Sequence, residues 1–348
     1  MISFAGFRRF LFDSMCPRRL YFAALLASFA AAALSPLAHA VSCVTQSQMT
    51  ATDRNTYAQS ARSVASNVQA GNVAAVKAAT IASVAAQFDS IASSIQALSP
   101  QIQGATLTVN SLYLLKAGDL KAPQDETQFF CSVPGSQRVV TLSIPQLPPG
   151  TYLLAILHAT GVEHSQQLSL ILENDPSGSD SWKLAGFFAR PLTAAGRDGL
   201  WYWTEARNYS QKKQDWNAFL YYQTAAYLLN PVDFLSSPNF EKLQKEAQAI
   251  RPAEWPGAEP LVLNANGQNF NITNVRTDSF PGGLDLVITY KAKDVSDPVA
   301  LRSQILDLMK ALLAKHPELR QAFHGLWVYA NAENQHPFAI EMPMNQIS

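Results

Sequence analysis

The sequence predicts an α+β protein in which helices pack on a curved antiparallel sheet, followed by a helical connector and a second, smaller α+β domain. Three observations predict this class. Apolar residues recur at helical spacing between residues 57 and 98, adjacent strand-like segments run from residue 106 to residue 189, and a strand-rich segment closes the chain after residue 252. Separate blocks of helices and of strands joined by short turns are typical of α+β proteins.

Residues 1–40 have the order of a secretory signal peptide. A cationic start at Arg18-Arg19 precedes an apolar run over residues 20–34, and Ala38-His39-Ala40 has the small residues of a cleavage site. The run is too short and too rich in alanine to cross a bilayer as a stable helix. We therefore expect export to the periplasm or the extracellular space, and no transmembrane segment in the mature chain.

Alternatives for the export signal stay open. Translation starts at Met1 or at Met15, and Arg8-Arg9 loosely resembles the pair of a twin-arginine signal, although a Sec-type signal fits the flanking residues better. In a lipoprotein, Cys43 would carry the lipid. The residue three positions before it is Ala40, where such signals have leucine.

Charge excludes two classes of partner. Four of the 26 basic residues and one of the 26 acidic residues lie in residues 1–40, so the mature chain has a net charge near −3. It has no basic block, so we do not expect it to bind nucleic acid or an anionic membrane surface.

The cysteines predict one covalent cross-link. Cys43 and Cys131 remain after the leader is removed. Because an isolated pair usually bonds in an oxidising compartment, we predict a disulfide that ties the mature N-terminus to a strand. The alternatives are two free thiols, or lipidation of Cys43.

The first domain, residues 41–192, begins with two amphipathic helices. Gly71 ends the first, Asn72 caps the second, and Ser99-Pro100 ends the second. Their apolar stripes are Tyr57, Ala61, Val64, Ala65 and Val68, then Ile81, Val84, Phe88, Ile91, Ile95 and Leu98. Strands are predicted at residues 106–115, 128–133, 140–144, 152–157, 168–172 and 182–189. The segment 152–157 is continuously apolar, which is typical of a central strand covered on both faces.

The helix–Gly71-Asn72–helix opening and the closing strand Trp182-Lys183-Leu184-Ala185-Gly186-Phe187-Phe188 resemble the cystatin-like cone of the nuclear transport factor two superfamily, especially its secreted bacterial branch. The resemblance implies N-terminal helices packed into a curved sheet. In catalytic members polar residues line the cone, but this sequence has no matching acid–base pair. One fold of this kind hosts enzymes, binding proteins and assembly modules.

The connector, residues 193–251, is rich in aromatic residues, which make up nine of the 27 residues from Trp201 to Tyr227. Ala206, Tyr209, Ala218, Tyr222 and Ala225, with the closing Leu228-Leu229-Asn230-Pro231, resemble a single tetratricopeptide helix pair. One pair does not build a peptide-binding array, since a solenoid needs about three repeats. A third amphipathic helix follows Ser237-Pro238, which supply its cap and its first residue.

Two interpretations of these aromatic residues stay open. In the first they wedge the helices between the two α+β domains and have only a structural role. In the second, Trp201, Trp203, Trp216 and Tyr222 form a platform that binds a glycan or a peptide.

The last domain, residues 252–348, has the order β-β-β-α-β-β. Strands are predicted at 261–263, 270–275 and 284–290, where Leu284, Leu286, Ile288 and Tyr290 form one apolar face. A helix capped by Asp297 and ended by His316-Pro317 follows, and the final strands are residues 326–330 and 338–342.

Motifs that carry chemistry are nearly absent. The sequence has no nucleophile elbow, no zinc-protease motif, no Cys-x-x-Cys and no phosphate-binding glycine loop, so it implies no cofactor and no catalytic residue. His158, Glu163 and His164 flank the predicted turn at Gly161 and form a candidate metal site.

We therefore expect an exported, non-catalytic protein of a bacterial cell envelope that binds or scaffolds a protein or a glycan. The alternative is a hydrolase or isomerase that acts on a small molecule in the pocket of the first domain. The sequence does not indicate an oligomeric state.

Overall fold

The computed structural model describes residues 41–135, 138–175 and 181–348, and in these ranges the chain is α+β, as predicted. The leader predicted at residues 1–40 lies outside the described residues. Across the ranges that are described, no helix combines the length and the apolar composition required to cross a membrane.

The described chain begins with a short strand and four helices. They are β1 (Ser42–Thr45), α1 (Ala51–Gln69), α2 (Val73–Ala78), α3 (Ala82–Ala85) and α4 (Asp89–Ile102). The side chain of Thr50 caps α1, and the side chain of Asn72 caps α2 as predicted. Most of the predicted α1 stripe is buried, at Ala61, Val64, Ala65 and Val68.

The second predicted helix is wrong in two respects. It is divided into α2, α3 and α4. The break between α2 and α3 arises because the backbone at residues 79–81 bonds to Leu184, with Ile81 N donating to Leu184 O at 3.0 Å and Leu184 N donating to Ala79 O at 2.8 Å. A turn at residues 86–88 separates α3 from α4. Pro100 also does not end α4, which continues to Ile102. A proline so close to the end of a helix removes only one backbone hydrogen bond.

Six further strands complete the first part of the chain. They are β2 (Thr106–Lys116), β3 (Glu126–Ser132), β4 (Val139–Pro145), β5 (Thr151–Thr160), β6 (Gln166–Asn174) and β7 (Trp182–Pro191). Five strands form an antiparallel sheet in the order β1-β2-β5-β6-β7, so the segment predicted to be central is its middle strand. β3 and β4 form a second sheet together with β10 (Leu235–Ser236), in the order β10-β4-β3.

The five-stranded sheet has an apolar core on each face. α1 and α4 cover one face, where Leu153, Leu157, Leu168 and Leu170 are fully buried. The three-stranded sheet covers the other face, over Leu154 and its neighbours. The predicted disulfide is confirmed, since Cys43 on β1 is bonded to Cys131 on β3 with their Cα atoms 5.1 Å apart, and it therefore joins the two sheets.

The helical connector follows a tight hairpin. Its elements are β8 (Thr193–Ala194), β9 (Arg197–Asp198), α5 (Gly199–Gln211), α6 (Asp215–Leu229) and α7 (Pro238–Ala249). Asp198 caps α5 and Ser237 caps α7. The segment between α6 and α7 contributes β10 to the sheet of β3 and β4, and Val232 and Leu235 are buried in the core there.

The last part of the chain has the predicted β-β-β-α-β-β order, with a short helical turn between the long helix and the fourth strand, which the sequence also predicts. Its elements are β11 (Leu261–Ala265), β12 (Gln268–Phe280), β13 (Gly283–Lys291), α8 (Pro298–Lys315), α9 (Leu319–Ala322), β14 (Gly325–Asn331) and β15 (Phe338–Pro343). The five strands form one sheet in chain order, β11-β12-β13-β14-β15. β13 and β14 are parallel, and α8 supplies the crossover connection between them. Tyr202, Tyr221 and Tyr222 share a continuous apolar core with this sheet and α8.

Candidate functional site

A cleft of about 950 Å³ lies where the first part of the chain meets the connector and the last sheet. α4 and β7 form one wall, the C-terminal half of α6 forms the floor, and residues 276–279 of β12 form the opposite wall. Large clefts at the junction of structural units are the usual place for a ligand.

Polar contacts fix both walls relative to α6. On one side, Gln167 Nε2 donates to Leu228 O at 3.3 Å and Arg190 Nη1 donates to Asn230 O at 2.9 Å. On the other side, the hydroxyl oxygens of Thr224 and Thr277 are 2.7 Å apart. These bonds join segments distant in sequence, so the shape of the cleft depends on the assembled fold.

The cleft presents amide and hydroxyl groups that can bind a ligand. Within the described ranges, the amide of exposed Gln223, the hydroxyl of Tyr227 and the ring of His164 have no hydrogen-bond partner. Tyr227 is 52% exposed and its ring lies under the Arg190 guanidinium at 5.4 Å. Amide and hydroxyl groups both donate and accept hydrogen bonds, so this lining suits a ligand with many hydroxyl groups.

Charge in the cleft is largely neutralised. Among the described residues that line the cleft, Arg276 and Asp278 are ionised, and they form an ion pair with an N–O distance of 2.6 Å. Gln166 Nε2 donates to Gln101 Oε1 at 3.2 Å, so these amides orient each other at the other wall. The cleft therefore favours an uncharged ligand over a strongly charged one.

The three residues of the predicted metal site are not gathered into one ligand set. In the β5–β6 ladder His158 pairs with Gln167, and Ala159 pairs with Gln166. Because successive side chains of a strand point to opposite faces, His158 and the cleft residue Gln166 lie on opposite faces of the sheet. Glu163 and His164 are exposed in the turn, and burial lowers the pKa of His158. Among residues that the structure describes, no three His, Cys, Asp or Glu side chains form a group that could hold a metal.

Two of the four predicted platform residues donate hydrogen bonds to Glu246 on α7. Trp203 Nε1 donates to Glu246 Oε2 at 2.8 Å, and the Tyr222 hydroxyl donates to the same oxygen at 3.3 Å. Arg207 adds two hydrogen bonds to this carboxylate, at 2.8 and 2.9 Å. These hydrogen bonds lower the pKa of the Glu246 carboxyl, and the bond from Arg207 has the largest effect. Trp203 and Tyr222 therefore hold the three connector helices together.

The other two predicted platform residues lie in different surroundings. Trp216 is 4% exposed and packs between Trp255, at 5.1 Å, and His316, at 4.6 Å between ring centroids. Trp201 is half-buried below the guanidinium of Arg197 and lines a separate small hollow. The four rings do not share one exposed face, so the platform interpretation rests on Trp201 alone.

The space between the helices and the five-stranded sheet, where catalytic members of the resembled superfamily have polar residues, is filled by apolar side chains. Ile95 and Ile102 of α4 and Leu112 of β2 are almost completely buried there.

Of the residues that line the cleft, the sequence analysis singled out only His164 as a candidate site residue, and as a metal ligand. Gln223, Tyr227 and Arg276 were missed because they belong to no motif and come together only in the fold. Searches for similar proteins give no further assignment: no protein-family model, no curated protein and no solved structure matches this chain.

Proposed function

We propose that this protein is an exported, non-catalytic binding protein of a bacterial cell envelope and that its cleft binds a neutral stretch of a glycan. The observation that carries the proposal is the lining of the cleft. Among the described residues that line it, groups without a hydrogen-bond partner include an amide, a phenol and an imidazole, while Arg276 and Asp278 neutralise each other.

The compartment is supported by two independent features. The leader pattern at residues 1–40 is that of an export signal, and a disulfide such as Cys43–Cys131 persists in oxidising compartments. The bonded sulfur of Cys43 is not available for a lipid thioether, which favours a free mature protein over a lipoprotein anchored at that residue.

A glycan fits the cleft better than a peptide. Sugar hydroxyl groups donate and accept hydrogen bonds, as the Gln223 amide and the Tyr227 hydroxyl do, and the exposed Tyr227 ring offers an apolar surface to the C–H faces of a sugar. A volume of about 950 Å³ has room for several sugar units.

Binding without catalysis is supported by the same lining. Glycoside hydrolysis uses a pair of carboxyl groups. Asp278, the one carboxylate among the described residues that line this cleft, is paired with Arg276. The apolar filling of the first part gives no support to the alternative, a hydrolase or isomerase with its pocket there.

Titration calorimetry with a neutral β-linked N-acetylglucosamine tetramer tests the proposal. We expect the protein to bind the tetramer and to leave it intact. Tyr227→Ala and Gln223→Ala should each weaken binding roughly fivefold or more without changing the melting temperature.

Phe130→Ala is the matched control, because Phe130 is 63% exposed on β3 and does not line the cleft. Cleavage of the tetramer, or equal affinities in all three variants, would contradict the proposal. Binding of extended peptides but not of the tetramer would instead assign the cleft to a protein partner.

A further inference from the structure

A carboxylate is buried in the last sheet on the face opposite its main core. Asp285, on β13, is 1% exposed and lies in the run that the sequence predicts as an alternating strand. Its Oδ2 accepts a hydrogen bond from Trp327 Nε1 at 3.1 Å, and its Oδ1 lies 3.3 Å from His324 Nδ1. Burial of a carboxylate is costly unless its oxygens are satisfied, so the indole and the imidazole stabilise it here.

The buried carboxylate orients the His324 ring. A carboxylate accepts hydrogen bonds, so the neutral ring carries its proton on Nδ1 and leaves the lone pair on Nε2 as an acceptor. Nε2 has no hydrogen-bond partner among residues 41–135, 138–175 and 181–348, and the side chain is 44% exposed.

Two glycines hold the ring in place. A Cβ atom added to Gly282 would lie 2.7 Å from His324 Cε1, and one added to Gly283 would lie 2.7 Å from His324 Cβ. Such distances are below van der Waals contact, so only glycine allows the chain to pack this closely against the ring. The orientation of His324 is thus fixed from two directions, by Asp285 and by the backbone.

A hollow of about 290 Å³ lies beside His324, between the start of α5 and residues 321–324. The positively charged Arg197 also lines the hollow. Arg197 is exposed, and its guanidinium lies 5.1 Å above the Trp201 ring. In the described part of the chain, Arg197 forms no ion pair. Arg197, which has no ion-pair partner, and the oriented His324 therefore line one hollow with aromatic walls.

We propose that this hollow is a second binding site, which takes an acidic sugar by pairing its carboxylate with Arg197 and accepting a hydrogen bond from one of its hydroxyl groups on His324 Nε2. Arg197 recognises the carboxylate because a guanidinium offers two parallel donors. The fixed tautomer of His324 selects a hydroxyl group, which donates, over a second carboxylate oxygen, which only accepts.

This site goes beyond the proposed function of the cleft. Arg197 and His324 do not line the cleft, and the ion-paired Arg276 of the cleft does not line the hollow. The cleft therefore suits a neutral ligand and the hollow suits an anionic one. An experiment can contradict the proposal for one site and leave the proposal for the other intact.

Calorimetry with D-glucuronate, D-glucose and acetate tests the hollow. Glucose lacks the carboxylate and acetate lacks the hydroxyl groups, so we expect glucuronate to bind at least about tenfold more tightly than either. Arg197→Gln should weaken glucuronate binding about tenfold, and His324→Gln several-fold, both with unchanged binding of the neutral tetramer.

Asp285 is a positioning residue, and its test is spectroscopic. In the native protein, ¹⁵N NMR should show the His324 proton on Nδ1, and Asp285→Asn should change this tautomer and weaken glucuronate binding together. If Asp285→Asn does not fold, Arg197→Gln still decides the proposal, because Arg197 is exposed.

Arg62→Gln and His336→Gln are the matched controls, since both residues are exposed and lie outside the hollow. The proposal is overturned by equal affinity for glucuronate and glucose, by undiminished glucuronate binding in Arg197→Gln, or by no binding at about 10 mM glucuronate.

Discussion

Arg207 on α5 forms a two-pronged ion pair with Glu246 on α7, with Nε and Nη2 at 2.8 and 2.9 Å from the two carboxylate oxygens. Trp203 and Tyr222 donate to the same carboxylate. The group therefore joins α5, α6 and α7 through four hydrogen bonds. Trp203 and Tyr222 therefore have a structural role here, in packing the connector helices together.

Replacement of this carboxylate should loosen the three-helix packing. Glu246→Gln keeps the size of the side chain but removes the charge and half of its acceptor capacity, so Arg207 and Trp203 lose partners. We expect the free energy of unfolding to fall by about 1–3 kcal/mol. Urea denaturation measures this.

The control for this variant is Glu333→Gln. Glu333 has a side chain 84% exposed and only a distant pair with Lys291, at 3.6 Å, so its replacement should change the free energy of unfolding little. Equal effects of the two variants would show that the network around Glu246 adds nothing to stability.

Loss of the disulfide should destabilise the two packed sheets of the first part. Cys43 and Cys131 are 88 residues apart, so the bond restricts a long loop in the unfolded chain. The double variant Cys43→Ala/Cys131→Ala should lose about 2–5 kcal/mol of unfolding free energy. Denaturation with and without dithiothreitol measures it.

A reductant should lower the stability of the native protein to that of the double variant and should have no effect on the double variant itself. If complete reduction of the disulfide to two thiols left the denaturation of the native protein unchanged, the bond would have no stabilising role.

Much of the fold was predictable because its signals are local. The continuous apolar run of β5 predicts a strand covered on both faces, as it is. The alternation around Leu168 and Leu170 predicts the strand β6, although that strand is buried at polar positions as well. The Cys43–Cys131 pair was predictable because only two cysteines follow the leader. In each case a few neighbouring residues, or a simple count, hold the information.

The rest depended on contacts between distant segments. The break between α2 and α3 requires the backbone of Leu184, and β10 pairs with β4 across about ninety residues. The buried Asp285 looks like the exposed position of an alternating strand until Trp327 and His324 cover it. The cleft combines α4, α6 and β12, so no single stretch of sequence predicts it.

Trp216 separates the structural interpretation of the connector aromatics from the binding interpretation. Its ring is buried between Trp255 and His316, so Trp216→Ala leaves a large cavity where α6 meets the linker after α7. We expect a loss of about 3–5 kcal/mol of unfolding free energy. Thermal and urea denaturation, together with titration of the neutral tetramer, check this.

Trp201→Ala is the comparison, because Trp201 is only half-buried. It should lose less stability than Trp216→Ala. An unchanged melting temperature of Trp216→Ala together with a large loss of glycan affinity would contradict the structural role of Trp216. It would favour the interpretation in which this ring belongs to a binding platform.

His316 predicts a pH dependence of stability. The ring is buried beside Trp216, with Nε2 3.0 Å from Glu254 Oε1 but not aligned for a hydrogen bond, and Nδ1 3.5 Å from Glu318 Oε1. Burial lowers the pKa of His316 below its ordinary 6.5, aided by Lys315 and opposed by the carboxylates of Glu254 and Glu318.

A lowered pKa means that the unfolded chain binds a proton at this residue more readily than the native protein does. The contribution of His316 to stability is therefore complete above about pH 6.5 and is lost as the pH falls through the native pKa. In His316→Gln the fall in unfolding free energy between about pH 7.5 and about pH 5.5 should be smaller than in the native protein.

His336→Gln is the control, since His336 is exposed on the last hairpin, and its pH profile should match that of the native protein. Denaturation by urea at each pH measures the difference. A profile of His316→Gln that is parallel to the native one would show that burial does not keep His316 neutral. The contacts with Glu254 and Glu318 would then offset the cost of burying its charge.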